Sequence, residues 1–353
     1  MSRKKVQIGS ELIGDDQATC IVAEAGINHN GDMSLAKKLI VQAKEAGATA
    51  VKFQAFTAEK LCDLDLTETK DVESLTGGSQ SSYQMYKTLE LSDDNIIELN
   101  DYARKEGILF FVSVFDEERV DFLDSINIAC FKISSGDLTH IPLLQYAARK
   151  GRPMIISTGL ATLEEVSKAV NAIKETGNDD IVILHCTADY PPGDEEINLA
   201  ALATFNKEFQ YPIGYSDHSL GIEIPLAAAA LRATMIEKHF TLDHNLEGPD
   251  HKMSVDTAQL KQLVSGVRRI ELARGSAVIE PTSAEKSLSF SGRRGIKAAC
   301  EIHAGQILSL ENLKIVKPAS GIEPEHLMAL VGSKVTRTLH RNDPVTWDSL
   351  EKS

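Results

Sequence analysis

The sequence lacks the features of secreted and membrane-spanning proteins. Its five cysteines, Cys20, Cys62, Cys130, Cys186 and Cys300, are widely spaced and form no CxxC pair, which indicates reduced thiols rather than a disulfide framework. No apolar run approaches the length of a membrane span, and the N-terminus is polar and basic without an apolar segment. We therefore expect a cytoplasmic protein with no membrane partner.

Basic residues are also fewer than acidic ones. Lys and Arg number 37 against 51 Asp and Glu, so the formal net charge at pH 7 is −14, which argues against a nucleic-acid-binding surface. An anionic small molecule would have to bind at locally placed cations. The 353 residues, 42% hydrophobic and 25% charged, are typical of a globular protein with one large domain and a small one, or two medium domains.

Residues 21–274 alternate eight times between short apolar strands and helical patterns. This number of units and this length predict an α/β fold, a (β/α)8 TIM barrel. A doubly wound open sheet is the alternative, but no GxGxxG follows the first strand, and polar residues end nearly every strand. Residues 57–91 form a long polar stretch within this region, which we interpret as a lid or a substrate-facing loop.

The regions that flank the barrel are shorter. Residues 1–20 contain two alternating segments around glycines and predict a hairpin that packs on the barrel. Residues 275–294 are rich in Ser and Gly and predict a linker, and residues 295–353 predict a small β-rich domain. Within that domain, residues 302–308 and 339–345 have similar patterns, each a turn followed by a hydrophobic step, which indicates internal pseudo-symmetry.

Polar residues occur at the predicted carboxyl ends of all eight strands, which is where TIM barrels carry their chemistry. They are Glu24; Lys52 and Gln54; Ser113; Lys132 and Ser135; Ser157 and Thr158; His185 and Thr187; Ser216, Asp217 and His218; and Glu237 and His239. Backbone capping would explain any single serine or threonine, but no structural requirement of a barrel explains the whole set.

Two histidines end successive strands and predict a divalent metal site. Because side chains alternate along a strand, Glu237 and His239 point to one face, and Lys238 is predicted to face outward without a catalytic role. His218 ends the preceding strand in the same way. Two imidazoles with acidic neighbours suit a divalent metal ion, and a pair of hydrogen-bonded core histidines is the alternative.

Two lysines, Lys52 and Lys132, are predicted at the barrel mouth, where each needs a counter-charge or a lowered pKa. The neighbouring serine hydroxyls favour the binding of an anionic substrate. A Schiff base at Lys132, as in class I aldolases, is the alternative. The predicted metal ion disfavours it, because a metal polarises a carbonyl directly.

Several phrases of the sequence closely resemble the sialic acid synthase family, the phosphoenolpyruvate-dependent nonulosonate synthases. The resemblance extends over nearly the whole chain, and the C-terminal region looks like the family's antifreeze-like (SAF) domain. The matching phrases are residues 21–31 (IVAEAGINHNG), 51–54 (VKFQ), 131–137 (FKISSGD), 157–159 (STG), 185–187 (HCT), 190–191 (YP), 214–218 (GYSDH), 237–241 (EKHFT), 248–251 (GPDH) and 344–347 (PVTW).

The resemblance implies a transferase that condenses phosphoenolpyruvate with the open-chain aldehyde of an N-acyl-hexosamine and releases phosphate. With N-acetylmannosamine the product is N-acetylneuraminate, and a legionaminic acid synthase acting on a 2,4-diacetamido-trideoxyhexose is the alternative. By similarity, phosphoenolpyruvate is bound by Lys52, Ser113, Lys132, Ser135, Ser157 and Ser216. Gln54, Tyr190 and Asp250 face the sugar and the reacting centre.

The same resemblance implies that His218 and His239 bind Mn²⁺ or Mg²⁺, with Asp250 and Glu237 nearby. Either Glu24 or Glu237 is the general base for water, and the sequence does not decide between them. The family's domain-swapped homodimer is also implied. In that dimer Lys317 stands where the family has an arginine that reaches the partner's sugar, and lysine is a weaker, monodentate substitute.

Ser113 replaces a threonine of the family, which is a small chemical change. Two other departures leave the identity of the hexosamine open: Ala188-Asp189 removes one contact to phosphoenolpyruvate, and Lys317 replaces the family's arginine. A non-catalytic ice-binding or carbohydrate-binding protein is the remaining alternative, which only the C-terminal domain suggests. Lysines, histidines and acids gathered at strand ends argue against it.

Overall fold

The computed structural model describes residues 3–63 and 82–351. The chain divides into two compact units, Met1–Gly275 and Ser276–Ser353. Each unit has its own hydrophobic core. Of the predicted polar loop over residues 57–91, residues 64–81 lie outside the described residues.

The first unit opens with a hairpin, as predicted. Strand β1 (Val6–Ile8) pairs antiparallel with β2 (Glu11–Ile13). Val6, Ile8 and Ile13 are buried in the same core cluster as the barrel residues. The hairpin therefore packs on the barrel through its apolar side chains.

Eight parallel strands form a closed barrel, which confirms the predicted fold. The barrel closes because the last strand pairs in parallel with both the first and the seventh. The strands are β3 (Cys20–Gly26), β4 (Ala50–Ala55), β5 (Leu109–Val114), β6 (Phe131–Ile133), β7 (Met154–Ser157), β8 (Ile181–Cys186), β9 (Ile213–Asp217) and β10 (Met235–His239). Nearly all their residues are buried, as expected of strands covered on both faces.

Helices connect the strands and supply the outer layer of the barrel. They are α1 (Met33–Glu45), α2 (Ala58–Leu61), α3 (Ser82–Leu89), α4 (Asp93–Glu106), α5 (Glu117–Ser125), α6 (Ile141–Ala148), α7 (Leu163–Lys174), α8 (Ala201–Glu208), α9 (Glu223–Ala230) and α10 (Thr257–Arg274). Helices α2 and α3 lie within residues 57–91, so the described parts of this stretch are largely helical rather than irregular.

Helix α4 shows how the sequence sets these boundaries. Ser92 and Asn95 form a capping box at its N-terminus, as the serine predicted. Ile96, Leu99 and Ala103 recur at helical spacing and are buried. Gly107 ends the helix with a φ of 72°, a left-handed conformation that glycine adopts without a steric cost.

The second unit contains strands β11 (Gly295–Ala298) and β12 (Leu313–Val316), which pair antiparallel. It also contains helix α11 (Ser283–Gly292) and the short helix α12 (Leu327–Leu330). The segment predicted as a linker contains α11, because Thr282 and Glu285 form a capping box that starts a helix within the Ser-rich stretch.

The two similar phrases of this unit form equivalent turns. In the first, the Gln306 N–H donates to the carbonyl of His303. In the second, the Asp343 N–H donates to the carbonyl of His340 in the same way. A β-bridge between Ile302 and Leu339 joins the two phrases at matching positions. The predicted internal repeat is therefore present in the backbone.

Across residues 3–63 and 82–351, no helix has both the length and the apolar character that crossing a bilayer requires.

Candidate active site

A cavity of about 430 Å³ opens at the carboxyl ends of the barrel strands. Every site residue predicted in the first unit lines it. These residues are Glu24, Lys52, Gln54, Ser113, Lys132, Ser135, Ser157, Tyr190, Ser216, His218, Glu237, His239 and Asp250. Lys317 belongs to the second unit, where it follows β12 and is exposed.

Lys52 lies between the two strand-end carboxylates. Its Nζ is 3.1 Å from Glu24 Oε1 and 3.4 Å from Glu237 Oε1, and it donates a hydrogen bond of 3.2 Å to Ser113 Oγ. Gln54 Nε2 donates to Glu24 Oε1 at 3.2 Å. Strands β3, β4, β5 and β10 thus each contribute a polar group to one buried cluster.

Lys132 extends this cluster toward β7. Its Nζ donates to Ser157 Oγ at 2.7 Å and lies 3.7 Å from Glu237 Oε1. Ser216 Oγ donates to the same Glu237 oxygen at 3.1 Å. Glu237 therefore lies within ion-pair distance of both lysines.

Glu24 and Glu237 have pKa values that differ in opposite directions from the usual glutamate value. Burial raises the pKa of Glu24 to about 7, against the opposing effect of Lys52. Burial acts on Glu237 too, but Lys132 and Lys52 outweigh it and hold its pKa below the usual value. Glu24 is thus suited to exchanging a proton near neutral pH, and Glu237 to remaining ionised.

The two predicted metal ligands lie side by side at the ends of β9 and β10. Their ring centroids are 5.3 Å apart. The Nδ1–H of His218 donates to the carbonyl of Thr187 at 2.8 Å, which fixes the tautomer and leaves Nε2 available as a ligand. Burial holds the pKa of His239 well below its usual value, so its imidazole is neutral, the form that binds metals.

Unsatisfied polar atoms surround these imidazoles. Among residues 3–63 and 82–351, the buried atoms Glu24 Oε2, Glu237 Oε2 and His239 Nδ1 have no hydrogen-bond partner. Asp250 Oδ2 lies 3.5 Å from His239 Nδ1, and burial raises the pKa of Asp250 to about 6. Buried polar atoms without partners are costly, and in a cavity they indicate a place for a ligand.

The donor set fits a divalent cation that is only partly held by protein. Within the described part of the chain, no group of three or more His, Cys, Asp or Glu residues has metal-binding geometry. The imidazoles of His218 and His239, beside the side chain of Asp250, could supply some of the ligands of Mn²⁺ or Mg²⁺. Substrate or water would have to supply the others.

Lys238 points outward from the barrel, as predicted, but it is buried rather than exposed to solvent. Its side chain and that of Asp217 are both 0% exposed, and the two form an ion pair of 2.6 Å. Lys238 does point away from the cavity, because side chains alternate along β10. Because helices cover the outside of a parallel barrel, a side chain that points outward from a strand is still buried. Alternation along the strand predicts the direction of the side chain but not its burial.

Three other strand-end residues have structural roles. Thr158 Oγ1 donates to the carbonyl of Leu184 at 3.0 Å. His185 Nε2 lies 3.0 Å from the carbonyl of Ile197, and Thr187 Oγ1 donates to the same segment. For any single Ser, Thr or His at a strand end, hydrogen bonding of this kind was the more expected role.

The apolar lining of the cavity was not predicted from the sequence. Ile27, Met85, Phe115, Leu160 and Pro249 contribute to its wall. Leu160 is 81% exposed and has a φ of 63°, which is rare for leucine and directly follows Gly159. Such residues carry no chemical signature in a single sequence, because an apolar residue in a loop looks like any other.

Comparisons with known proteins agree with this geometry. Residues 39–279 match the NeuB family, and residues 293–351 match the SAF domain. The chain is 40% identical to N,N'-diacetyllegionaminic acid synthase of Legionella pneumophila, and the alignment covers 99% of each chain. It is 36% identical to N-acetylneuraminate-9-phosphate synthase of Homo sapiens, over 94% of this chain and 93% of the human protein.

A solved structure gives the same result. The N-acetylneuraminic acid (sialic acid) synthetase of Leptospira borgpetersenii, crystallised in complex with citrate, superposes with a TM-score of 0.73 and is 35% identical. The superposition covers 81% of this chain and 95% of the Leptospira chain. The chain therefore belongs to the NeuB family of nonulosonate synthases and carries a SAF domain in its C-terminal region.

Proposed function

We propose that this enzyme condenses phosphoenolpyruvate with the open-chain aldehyde of an N-acetylated amino sugar and releases phosphate. The observation that carries the proposal is the cluster in which Lys52 and Lys132 share Glu237 at the base of the cavity. An anion that enters the cavity finds two buried cations, with the hydroxyls of Ser113 and Ser157 already bound to them. This arrangement suits a small, multiply charged substrate.

In the proposed reaction, C3 of phosphoenolpyruvate forms a carbon–carbon bond to the aldehyde carbon, and the aldehyde oxygen becomes a hydroxyl. Water then adds to C2, and the C2–O bond to phosphate breaks to leave a ketone. Lys52 and Lys132 stabilise the negative charge that collects on the departing phosphate and the carboxylate. The serine hydroxyls hold those groups in place.

His218 and His239 would hold a divalent cation, Mn²⁺ or Mg²⁺, which when bound supplies Lewis-acid polarisation of the aldehyde carbonyl. Burial holds the pKa of His239 well below its usual value, which keeps this imidazole neutral and able to bind a metal ion. The hydrogen bond from His218 to the Thr187 carbonyl orients one ring, and Tyr190 packs against that ring with centroids 4.1 Å apart.

Glu24 is the group that we assign as general base for the attacking water. Its pKa of about 7 matches the working range of a base at neutral pH, and its Oε2 is unpartnered among the described residues. Glu237 is held by Ser216 and by both lysines, so it serves to balance charge.

A 2,4-diacetamido-trideoxyhexose is the sugar we favour, and N-acetylmannosamine is the second candidate. The trideoxy sugar has a methyl group and a second acetamido group in place of hydroxyls, which suits an apolar mouth formed by Ile27, Phe115 and Leu160. The Legionella relative named for diacetyllegionaminic acid is also more similar to this chain, at 40% identity, than the human sialic acid relative at 36%.

A homodimer in which Lys317 reaches the partner's sugar is part of the same proposal. It rests on the resemblance to the family and on the presence of the SAF domain. Substitution of Lys317 by Ala is expected to raise the KM for the sugar and to leave the KM for phosphoenolpyruvate unchanged.

The test measures phosphate release from phosphoenolpyruvate with both sugars, in chelator-treated enzyme with and without added Mn²⁺. We expect release that depends on the metal and that is faster with the diacetamido sugar. Faster release with N-acetylmannosamine would transfer the assignment to the second candidate. Absence of release with either sugar would overturn the proposed function.

A further inference from the structure

A buried ion pair lies directly behind the two candidate metal ligands. Asp217 and Lys238 are register partners on the parallel strands β9 and β10, and Lys238 Nζ is 2.6 Å from Asp217 Oδ2. Both side chains have no solvent exposure. His218 is the next residue after Asp217, and His239 is the next residue after Lys238.

The pair also holds the backbone on both sides of His218. Asp217 Oδ1 accepts hydrogen bonds from the Ser219 N–H at 3.0 Å and from Ser219 Oγ at 2.8 Å. Tyr215 donates to the same oxygen at 3.2 Å. Lys238 Nζ donates to the carbonyl of Ser219. The residues before and after His218 are therefore both tied to one buried network, which leaves its backbone little freedom.

Stability alone does not account for a charge pair at this location. Burying two charges costs solvation free energy that their attraction often only offsets, and apolar pairs in such places are frequently as stable or more so. An ion pair differs from an apolar pair in being directional. It sets the lateral spacing of β9 and β10 and the orientation of the 217–219 segment more sharply than dispersion contacts do.

We infer that Asp217 and Lys238 are positioning residues that fix the imidazole of His218 relative to that of His239, so that the two imidazoles can bind the same cation. The inference rests on the metal role proposed for the two histidines. Neither Asp217 nor Lys238 lines the cavity, so their effect on the site is transmitted through the backbone and through Ser219.

The experiment uses the full-length double variant Asp217→Asn/Lys238→Met, in which no charge is left unpaired. Binding of Mn²⁺ to chelator-treated protein is measured by electron paramagnetic resonance of the free ion, beside the midpoint of urea unfolding. We expect the dissociation constant for Mn²⁺ to rise 10- to 100-fold, the range typical of groups that orient metal ligands. An Mn²⁺ affinity within twofold of wild type would overturn the inference.

A matched control separates positioning from a general loss of stability. Arg152 and Asp124 form an ion pair of 2.6 Å away from the cavity, before β7. The variant Asp124→Asn/Arg152→Met is expected to lower the midpoint of unfolding and to bind Mn²⁺ like wild type. A comparable loss of Mn²⁺ affinity in this control would show that destabilisation alone weakens the site, and would also overturn the inference.

A second readout does not depend on the metal. In ¹⁵N-histidine-labelled protein, the Nδ1 proton of His218 is held by the Thr187 carbonyl at 2.8 Å, so it should be protected from exchange. We expect this signal to shift and exchange faster in the Asp217→Asn/Lys238→Met variant, and an unchanged signal would contradict the inference. If wild type binds no Mn²⁺, the inference fails together with the metal assignment, and phosphate release in the same preparation shows separately whether the proposed condensation stands.

Discussion

The two faces of strands β9 and β10 differ in whether their buried polar groups have hydrogen-bond partners. On the cavity face, Glu237 Oε2 and His239 Nδ1 are buried without a hydrogen-bond partner among the described residues. On the face behind it, Asp217 and Lys238 are fully buried and bonded to each other and to Ser219. The same five-residue strands therefore carry an unsatisfied layer and a saturated layer.

This difference separates the side of the strands that stabilises the fold from the side that can bind a ligand. A saturated network behind the barrel wall fixes the backbone, because each of its bonds lies in a site that excludes water. The unsatisfied atoms in front are held in place by that backbone and remain free for ligands. Substitutions in front should therefore affect activity without a loss of stability, and substitutions behind should affect stability.

The largest effect is expected from Glu24→Gln on the cavity side. Loss of a general base reduces kcat by about 10²- to 10⁴-fold. Because burial raises the pKa of Glu24 to about 7 from 4.5, its ionised form opposes folding above neutral pH, so the free energy of unfolding should equal or exceed that of wild type. Phosphate release and urea unfolding at pH 8 measure the two quantities. A marked loss of stability in this variant would contradict the expectation that substitutions on the cavity face leave stability unchanged.

The opposite pattern is expected from Lys238→Met, which leaves Asp217 charged and buried without its cation. Removal of one partner of a buried pair costs about 3–5 kcal/mol. Urea unfolding of this variant measures the loss, with Lys168→Met as the control, because Lys168 forms an exposed pair with Glu164 that should contribute less than about 1 kcal/mol. Equal costs for the two variants would contradict the assignment of the saturated layer.

The pH dependence gives a third, intermediate effect. Below a pKa of about 7 the Glu24 carboxylate is protonated, so kcat/KM should fall about tenfold for each pH unit below it. The folded state takes up this proton at a higher pH than the unfolded chain does, so the contribution of Glu24 to stability increases as the pH falls from 7 to 4.5. The pH–rate profile should flatten on its acid side in Glu24→Gln. An unchanged acid limb in that variant would assign the base role to another group.

The smallest effect is expected from Gly159→Ala, on the cavity side but away from β9 and β10. A Cβ at this position would lie 2.8 Å from Ser135 Oγ and 2.9 Å from Ala188 Cβ. Ser135 should move, and the KM for phosphoenolpyruvate should rise by about tenfold, or about 1.4 kcal/mol. Gly292→Ala, where a Cβ meets open space, is the control with no expected change. A normal KM for Gly159→Ala would remove Ser135 from the proposed binding site.

Much of the site could be predicted because it follows from two local rules. Alternating strand and helix patterns place the strands, and residues such as Lys52, Lys132 and His239 then fall at the carboxyl ends by position alone. Their convergence in one cavity requires only that the barrel closes. The apolar wall at Leu160 was not predictable in this way, because its role depends on a loop conformation and on neighbours from other parts of the chain.

The sequence by itself determined the barrel, the repeated turns of the C-terminal unit and the set of polar residues at the strand ends, because each depends on short-range periodicity or on turn residues. Tertiary structure alone decided the environment of those residues. Lys238 was predicted to face outward, and only the covering layer of the barrel makes that direction a buried one. Glu24 and Glu237 are the same residue type, and only their surroundings make their pKa values differ: Glu24 lies near one lysine and near Glu237, whereas Glu237 lies near two lysines and accepts a hydrogen bond from Ser216. Contacts of this kind join residues far apart in the chain, so no local pattern encodes them.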